Sequence, residues 1–100
     1  MKRTPAFRIP SADLQRRFNR NEGGYPAKID TLTCECIYDK PASPKSNQPD
    51  GTRSRLYKYS DGVIPVMHLH CFVLPSGELG ASKKMDPKRL LIDGVYYYCD

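Results

Sequence analysis

Two histidines stand two residues apart in the longest apolar-rich stretch of the chain, as His68 and His70. Histidine changes its charge near neutral pH, so such a pair can move protons to and from the oxygens of a phosphodiester. Two arginines at the same spacing, Arg53 and Arg55, can stabilise the charge that develops on the phosphate oxygens. These residue types suit either the binding or the metal-independent cleavage of a phosphate-rich polymer.

A predicted hairpin brings these four side chains together. Asp61-Gly62 lies between two alternating segments, which favours a tight turn, so we pair residues 53–60 with residues 63–70. The predicted cross-strand pairs are Tyr59 with Ile64, Tyr57 with Val66, Arg55 with His68, and Arg53 with His70. One face of the hairpin then carries two arginines, two histidines and two tyrosines. Pro65 lacks an N–H, and a bulge there would exchange the faces of one strand.

The stretch from Val63 to Gly80 is predicted to hold the central strand of the fold. Its β-branched and aromatic residues, bracketed by glycine and proline, favour a strand over a helix. Because side chains alternate along a strand, one apolar face is predicted to be the core, with Met67, Leu69, Cys71 and Val73. A second strand is predicted over residues 31–38 and another over residues 95–99. Residues 88–92 fit either a strand or a helix that begins at Asp86-Pro87.

The net charge of +5 belongs to the first twenty residues. They hold Asp13 and six basic side chains, namely Lys2, Arg3, Arg8, Arg16, Arg17 and Arg20. We predict a basic arm followed by a short helix that begins at Ser11, carries Leu14 and Phe18 on one side, and ends at Gly23-Gly24. The helix arginines either form a solvated face or contact phosphate groups.

The predicted fold class is α+β, a single domain over residues 1–100. One N-terminal helix packs, through Leu14 and Phe18, on an antiparallel sheet of four or five strands built from consecutive hairpins. The basic arm covers about residues 1–10, and a flexible loop rich in proline and serine covers about residues 39–52. No apolar run reaches the length of a membrane span or of a signal peptide core, so we expect a cytoplasmic protein without a membrane partner.

Four cysteines invite a metal or disulfide interpretation. Cys34 and Cys36 alternate on one strand face and are predicted to point inward, away from the histidines. Structural zinc sites prefer cysteines in tight turns, so we expect no metal, no cofactor, and reduced thiols. A one-residue slip in register would bring the Cys34/Cys36 and His68/His70 pairs to one face and revive a zinc site.

The tract from His70 to Lys88 resembles one in small uncharacterised bacterial and phage proteins. Such tracts combine a histidine, an aromatic strand, a Pro-Asp-Gly turn, Gly-x-Ser and Asp-Pro-Lys, whereas this chain has Ser76 at the aspartate position. The resemblance covers about a fifth of the chain and implies a prokaryotic or viral source. It makes His70 and Asp86-Pro87-Lys88 worth mutating but implies no activity for them. A turn at Ser76-Gly77 would also bring Lys83 alongside His70.

These patterns favour a binding protein over an enzyme. The leading hypothesis is a small basic accessory protein that binds RNA or DNA. The predicted phosphate-binding residues are Arg53, Arg55, Tyr57, Tyr59, Lys83, Arg16, Arg17 and Arg20. One alternative is a metal-independent ribonuclease with His68 and His70 as catalytic residues. Another is a phage-type inhibitor or adaptor that contacts a host or phage protein through its aromatic tail, Tyr96 to Tyr98.

Overall fold

The computed structural model describes residues 4–80 and 84–100 and shows one α-helix beside a single sheet. In chain order, the elements are β1 (Ala6–Arg8), α1 (Ser11–Asn19), β2 (Thr33–Pro41), β3 (Arg53–Asp61), β4 (Ile64–Val73), β5 (Asp86–Ile92) and β6 (Val95–Tyr98). Two 3₁₀ helices, Pro26–Thr31 and Pro44–Ser46, lie in the connections. No helix among these residues is long and apolar enough to cross a bilayer.

The strands of the described chain form one six-stranded sheet in the order β1-β6-β5-β4-β3-β2. Neighbouring strands are antiparallel except β1 and β6, which run parallel with Ala6 opposite Tyr96. The predicted α+β class, with one helix packed on a sheet, is confirmed. The prediction of four or five antiparallel strands is wrong, because Ala6–Arg8, inside the predicted basic arm, adds a parallel edge strand.

The turn between β3 and β4 lies one residue later than predicted. Asp61 pairs with Ile64, so Gly62 and Val63 form the two-residue loop. Gly62 has a φ of 61°, and Val63 is not among the residues with positive φ. Positive φ at the first loop residue alone is typical of a type II′ hairpin turn. This shift by itself would leave each side chain on its predicted face, since it moves the register by two residues.

A bulge next to Pro65 then changes the faces. Ser60 pairs with Pro65 and Tyr59 with Met67, so Val66 has no partner on β3. Beyond the bulge, the pairs are Lys58 with His68, Tyr57 with Leu69, Leu56 with His70, Arg55 with Cys71, and Arg53 with Val73. The four predicted pairings of this hairpin are therefore wrong, and the odd extra residue has moved the arginines to the face opposite the histidines.

The core lies on the sheet face that α1 covers. Leu14 is fully buried in one cluster with Met67, Leu69 and Leu90, and Phe18 packs against its margin. The guanidinium of Arg17 lies 4.5 Å from the ring centre of Tyr97, which places Tyr97 on the same face. The predicted burial of Met67, Leu69 and Cys71 is confirmed, whereas Val73, the fourth residue of that predicted face, is only partly buried. Because α1 packs on β5 and β6 from this side, the opposite face of these strands is not covered by it.

The predicted loop is shorter than expected, and residues 88–92 form the strand that was one of their two predicted alternatives. Residues 39–41, placed in the flexible loop by composition, extend β2, and Ala42 N donates to Thr52 O at 2.9 Å to close the loop base. Residues 88–92 belong to strand β5 rather than to a helix, and Asp86 pairs with His70. Lys83, predicted to lie beside His70, falls outside the described residues.

Candidate functional site

The predicted phosphate-binding arginines of β3 are engaged by a carboxylate of the neighbouring strand. Arg53 Nε donates to Asp39 Oδ1 at 2.8 Å, and Arg55 Nε donates to Asp39 Oδ2 at 3.0 Å. The Arg53 hydrogen bond, more than the other contacts, holds the pKa of Asp39 below its usual value. Arg55 also lies 3.5 Å from Tyr57 Oη. This cluster ties β2 to β3 and does not meet His68 or His70.

The two tyrosines of β3 are poor surfaces for stacking a base. Tyr59 is 7% exposed, and burial raises the pKa of its phenol above the usual value. Its hydroxyl lies 3.9 Å from Met85 Sδ. Tyr57 is partly buried against the same core. Both rings therefore contribute to packing on the helix side of the sheet.

The helix arginines also lie on the side of the core. Arg16 pairs with Asp13 one turn earlier, and Arg17 reaches Glu22 at 3.5 Å while its guanidinium covers Tyr97. Arg20 is exposed just beyond the end of α1. The structure therefore does not bring these residues together with the histidines of β4.

His70 belongs to a nearly buried array of three polar side chains. Its Nε2 lies 2.7 Å from Ser54 Oγ, and its Nδ1 lies 3.4 Å from Asp86 Oδ2. Because a carboxylate only accepts, Nδ1 carries the proton in the neutral ring, and Ser54 then donates to Nε2. Phe72 packs edge-on against the imidazole, with ring centres 4.8 Å apart.

The array has the residue types of a nucleophilic triad, but its serine is buried and its carboxylate is exposed, which is the reverse of what a nucleophilic triad needs. A nucleophilic serine must be reached by substrate, whereas Ser54 is only 7% exposed and His70 is equally buried. Asp86, whose carboxylate does not have to contact substrate, is the most exposed member of the array, with a side chain that is 44% exposed. We therefore assign the array a structural role, in which Ser54 and Asp86 satisfy both nitrogens of a buried imidazole across β3, β4 and β5.

His68 is half-buried between two cations. It pairs with Lys58 on β3 and with Arg89 on β5, so the three side chains lie side by side on one face. Burial, followed by the nearby charges of Arg89 and Lys58, lowers the pKa of His68. The imidazole is therefore mainly neutral at pH 7. In this state His68 adds no positive charge that could attract a phosphate.

These three residues are the centre of a row that crosses the whole sheet, here called the cross-strand row. Each member is the register partner of the next on the adjacent strand, so all six project from the face opposite α1. From β2 to β1 they are Glu35, Lys58, His68, Arg89, Tyr98 and Arg8. None of the six is buried. The row places three basic side chains and a tyrosine together on the face opposite α1, where Lys40 over the Tyr38 ring at 4.6 Å is a second contact between a cation and an aromatic ring.

Two tyrosines of β6 fix the position of Arg89. Its guanidinium lies 4.4 Å from the ring centre of Tyr96 and 5.8 Å from that of Tyr98. Tyr96 is itself anchored, because its hydroxyl donates to the carbonyl of Pro65 at 2.5 Å. Within residues 4–80 and 84–100, no carboxylate lies within ion-pair distance of Arg89. The centre of the row thus holds a positioned cation without a counter-ion.

The ends of the row carry ion pairs at the surface. Lys58 Nζ lies 3.0 Å from Glu35 Oε2, and Arg8 pairs with Asp100. A cleft of about 400 Å³, lined in part by Arg8 and Asp100, opens at the β1 end. Pairs this exposed contribute little to stability, so a competing anion can replace their carboxylates at small cost.

The cysteines do not form a metal site with the histidines. Cys34 and Cys36 are exposed, so the prediction that they point into the core is wrong, because β2 is an edge strand. They pair with Tyr59 and Tyr57, on the face opposite His68. No group of three or more potential metal ligands occurs among the described residues. Cys71 is buried, and this burial raises the pKa of its thiol.

Sequence reasoning gave no binding role to Glu35, Lys58 or Arg89, and it named Tyr98 only in the aromatic tail and Arg8 only in the basic arm. The alternation of side chains along a strand assigns Lys58 to one face of β3 and Arg89 to one face of β5, but it does not show that the two faces coincide. Their meeting depends on the bulge at Val66 and on a second register shift between His68 and Leu69. Comparisons with protein-family models, curated proteins and solved structures gave no match, so the site is interpreted from its own geometry.

Proposed function

We propose that the protein binds nucleic acid through the cross-strand row. The observation that carries this proposal is the placement of Lys58, His68, Arg89 and Tyr98 side by side on four adjacent strands, on the face that α1 leaves uncovered. Lysine and arginine supply the electrostatic attraction to a phosphate backbone, and the partly exposed ring of Tyr98 offers a surface to a base.

The charge of the whole chain supports an anionic partner. The formal net charge is +5, and Arg20 adds an exposed cation beyond the end of α1. The proposed interface replaces the predicted one, since Arg53 and Arg55 are occupied by Asp39 on the other face. In this proposal Arg16, Arg17 and Arg20 do not contact the bound phosphates but add long-range electrostatic attraction to the nucleic acid.

The geometry favours binding over catalysis. The ribonuclease hypothesis needs two histidines that flank one phosphate, whereas His70 is 7% exposed and held by Ser54 and Asp86. The adaptor hypothesis places the protein contact on the aromatic tail from Tyr96 to Tyr98, and Tyr98 belongs to the same row. A protein partner would therefore use the same face as a nucleic acid.

Fluorescence anisotropy with labelled RNA and DNA oligonucleotides tests the proposal. With three cations contacting phosphate, affinity is expected to fall about 20-fold between 50 and 200 mM salt. Arg89→Gln should weaken binding, whereas the matched substitution Arg53→Gln, on the opposite face, should leave it unchanged. Absence of binding at 50 mM salt would refute the proposal. A loss in Arg53→Gln as large as that in Arg89→Gln would refute the assignment of the interface to this face.

A further inference from the structure

We infer that the nucleic acid is single-stranded and that about four nucleotides lie along the cross-strand row, with one base stacked on Tyr98. This inference rests on the proposed function and names the class of ligand. It follows from the breadth of the sheet face, from the position of the aromatic rings, and from the length of the row.

The breadth of the face disfavours a duplex. The major groove of B-form DNA is about 12 Å wide and admits a helix or a two-stranded ribbon. The row crosses six strands, so its five steps of about 4.8 Å span about 24 Å. The one α-helix of the described chain packs on the other side of the sheet. This face therefore has no element of the right width to enter a groove, but it can support a flexible strand.

The aromatic rings point to an unpaired base. Tyr98 is the register partner of Arg89, so a phosphate at Arg89 places the adjoining base near the Tyr98 ring. The Tyr96 ring is covered by Arg89 at 4.4 Å, whereas the Tyr98 ring lies farther off, at 5.8 Å. Stacking on a side chain requires a base that is free of the double helix. Tyr98 is therefore the stacking surface, and Arg89 is the phosphate contact beside it.

The length of the row sets the size of the site. From Lys58 to Arg8 there are four strand-to-strand steps, or about 19 Å. Single-strand sites on other small β domains begin at about four nucleotides. The outer ion pairs of Lys58 and Arg8 open to accept the terminal phosphates, since their carboxylate partners are exposed.

Oligouridines of 2, 4, 8 and 12 nucleotides and a duplex hairpin of similar charge are the probes, measured by anisotropy at 50 mM salt. Affinity is expected to rise steeply up to about four nucleotides and only slowly beyond. The single strand should bind at least tenfold more tightly than the duplex. Tyr98→Phe keeps the ring and should bind like the wild type, whereas Tyr98→Leu should lose about tenfold for the single strand and nothing for the duplex.

The outcomes separate this inference from the proposed function. Binding of the duplex as tight as that of the single strand, lost in Arg89→Gln, would overturn the inference and leave the proposed function standing. Unchanged single-strand affinity in Tyr98→Leu, with circular dichroism showing a folded protein, would overturn the stacking contact. No binding of any probe would overturn both.

Discussion

Replacing Ser54 by alanine should destabilise the protein, because it leaves the buried Nε2 of His70 without a hydrogen-bond partner. The substitution removes the hydroxyl that donates to His70 Nε2 at 2.7 Å, while the His70 side chain, which is 9% exposed, stays buried. A buried polar atom left without a partner costs about 1 to 3 kcal/mol. We therefore expect Ser54→Ala to lower the free energy of unfolding by about 2 kcal/mol.

Urea unfolding followed by circular dichroism measures this loss, and thermal unfolding provides a second reading. For a chain of this size, about 2 kcal/mol corresponds to a fall in Tm of about 8 to 16 °C. Asp86→Asn should cost less than about 1 kcal/mol, because its side chain is 44% exposed and its contact with Nδ1 is long, at 3.4 Å. The double variant Ser54→Ala/His70→Phe should be more stable than Ser54→Ala, since it leaves no orphaned nitrogen.

Two results would refute this account of the array. A change of less than about 0.3 kcal/mol in Ser54→Ala would show that the hydrogen bond does not satisfy a buried nitrogen. Covalent labelling of Ser54 by a fluorophosphonate would show a reachable, activated nucleophile, contrary to the burial of its hydroxyl. Nucleic-acid affinity should be the same in Ser54→Ala and wild type, because Ser54 is not part of the cross-strand row.

Three further predictions follow from local geometry. Gly23→Ala should destabilise more than Gly24→Ala in thermal unfolding: both have φ near +84°, but a Cβ at Gly23 would lie 2.4 Å from Leu91 O, whereas Gly24 has open space. Equal losses would contradict the close approach. His68 has a lowered pKa between two cations, and a bound polyanion offsets their charge, so affinity should be higher at pH 5.5 than at pH 7.5, and His68→Gln should remove this dependence. A pH-independent wild type would contradict it. The pKa of Asp39 is lowered in the folded state, so its stabilising contribution is present above about pH 4 and lost as pH falls through the folded pKa. Acid titration of stability should show this component in wild type and not in Asp39→Asn.

Local patterns predicted those parts of the fold that depend on neighbouring residues. Leu14 and Phe18 lie four residues apart, and both reach the core from one side of a short helix. The alternation of Met67 and Leu69 predicted the buried face of β4. Asp61-Gly62 predicted a hairpin, although the loop is Gly62-Val63. These features follow from helix and strand periodicity and from turn chemistry, which act over a few residues.

The candidate site depended on register, which local patterns do not determine. Proline at position 65 marks a place where a bulge can form, but it does not determine that Val66 is the extra residue of β4. Together with the later turn, that single residue places Arg55 on the face opposite His68 and pairs Lys58 with His68. Similarly, the hydrogen-bond partners of His70 are Ser54 and Asp86, each sixteen residues away along the chain. Contacts of this kind carry no signal in residue spacing.

The parallel pairing of β1 with β6 has a consequence for biosynthesis. Ala6 and its partner Tyr96 are 90 residues apart, so at ordinary rates of translation β1 waits roughly 5 to 20 s for the strand it joins. Closing so large a loop is entropically costly, and the edge of β5 stays open until β6 arrives. A chain truncated before Val95 would therefore expose an unpaired, apolar strand edge at Leu90 to Ile92, the kind of surface that chaperones and proteases recognise.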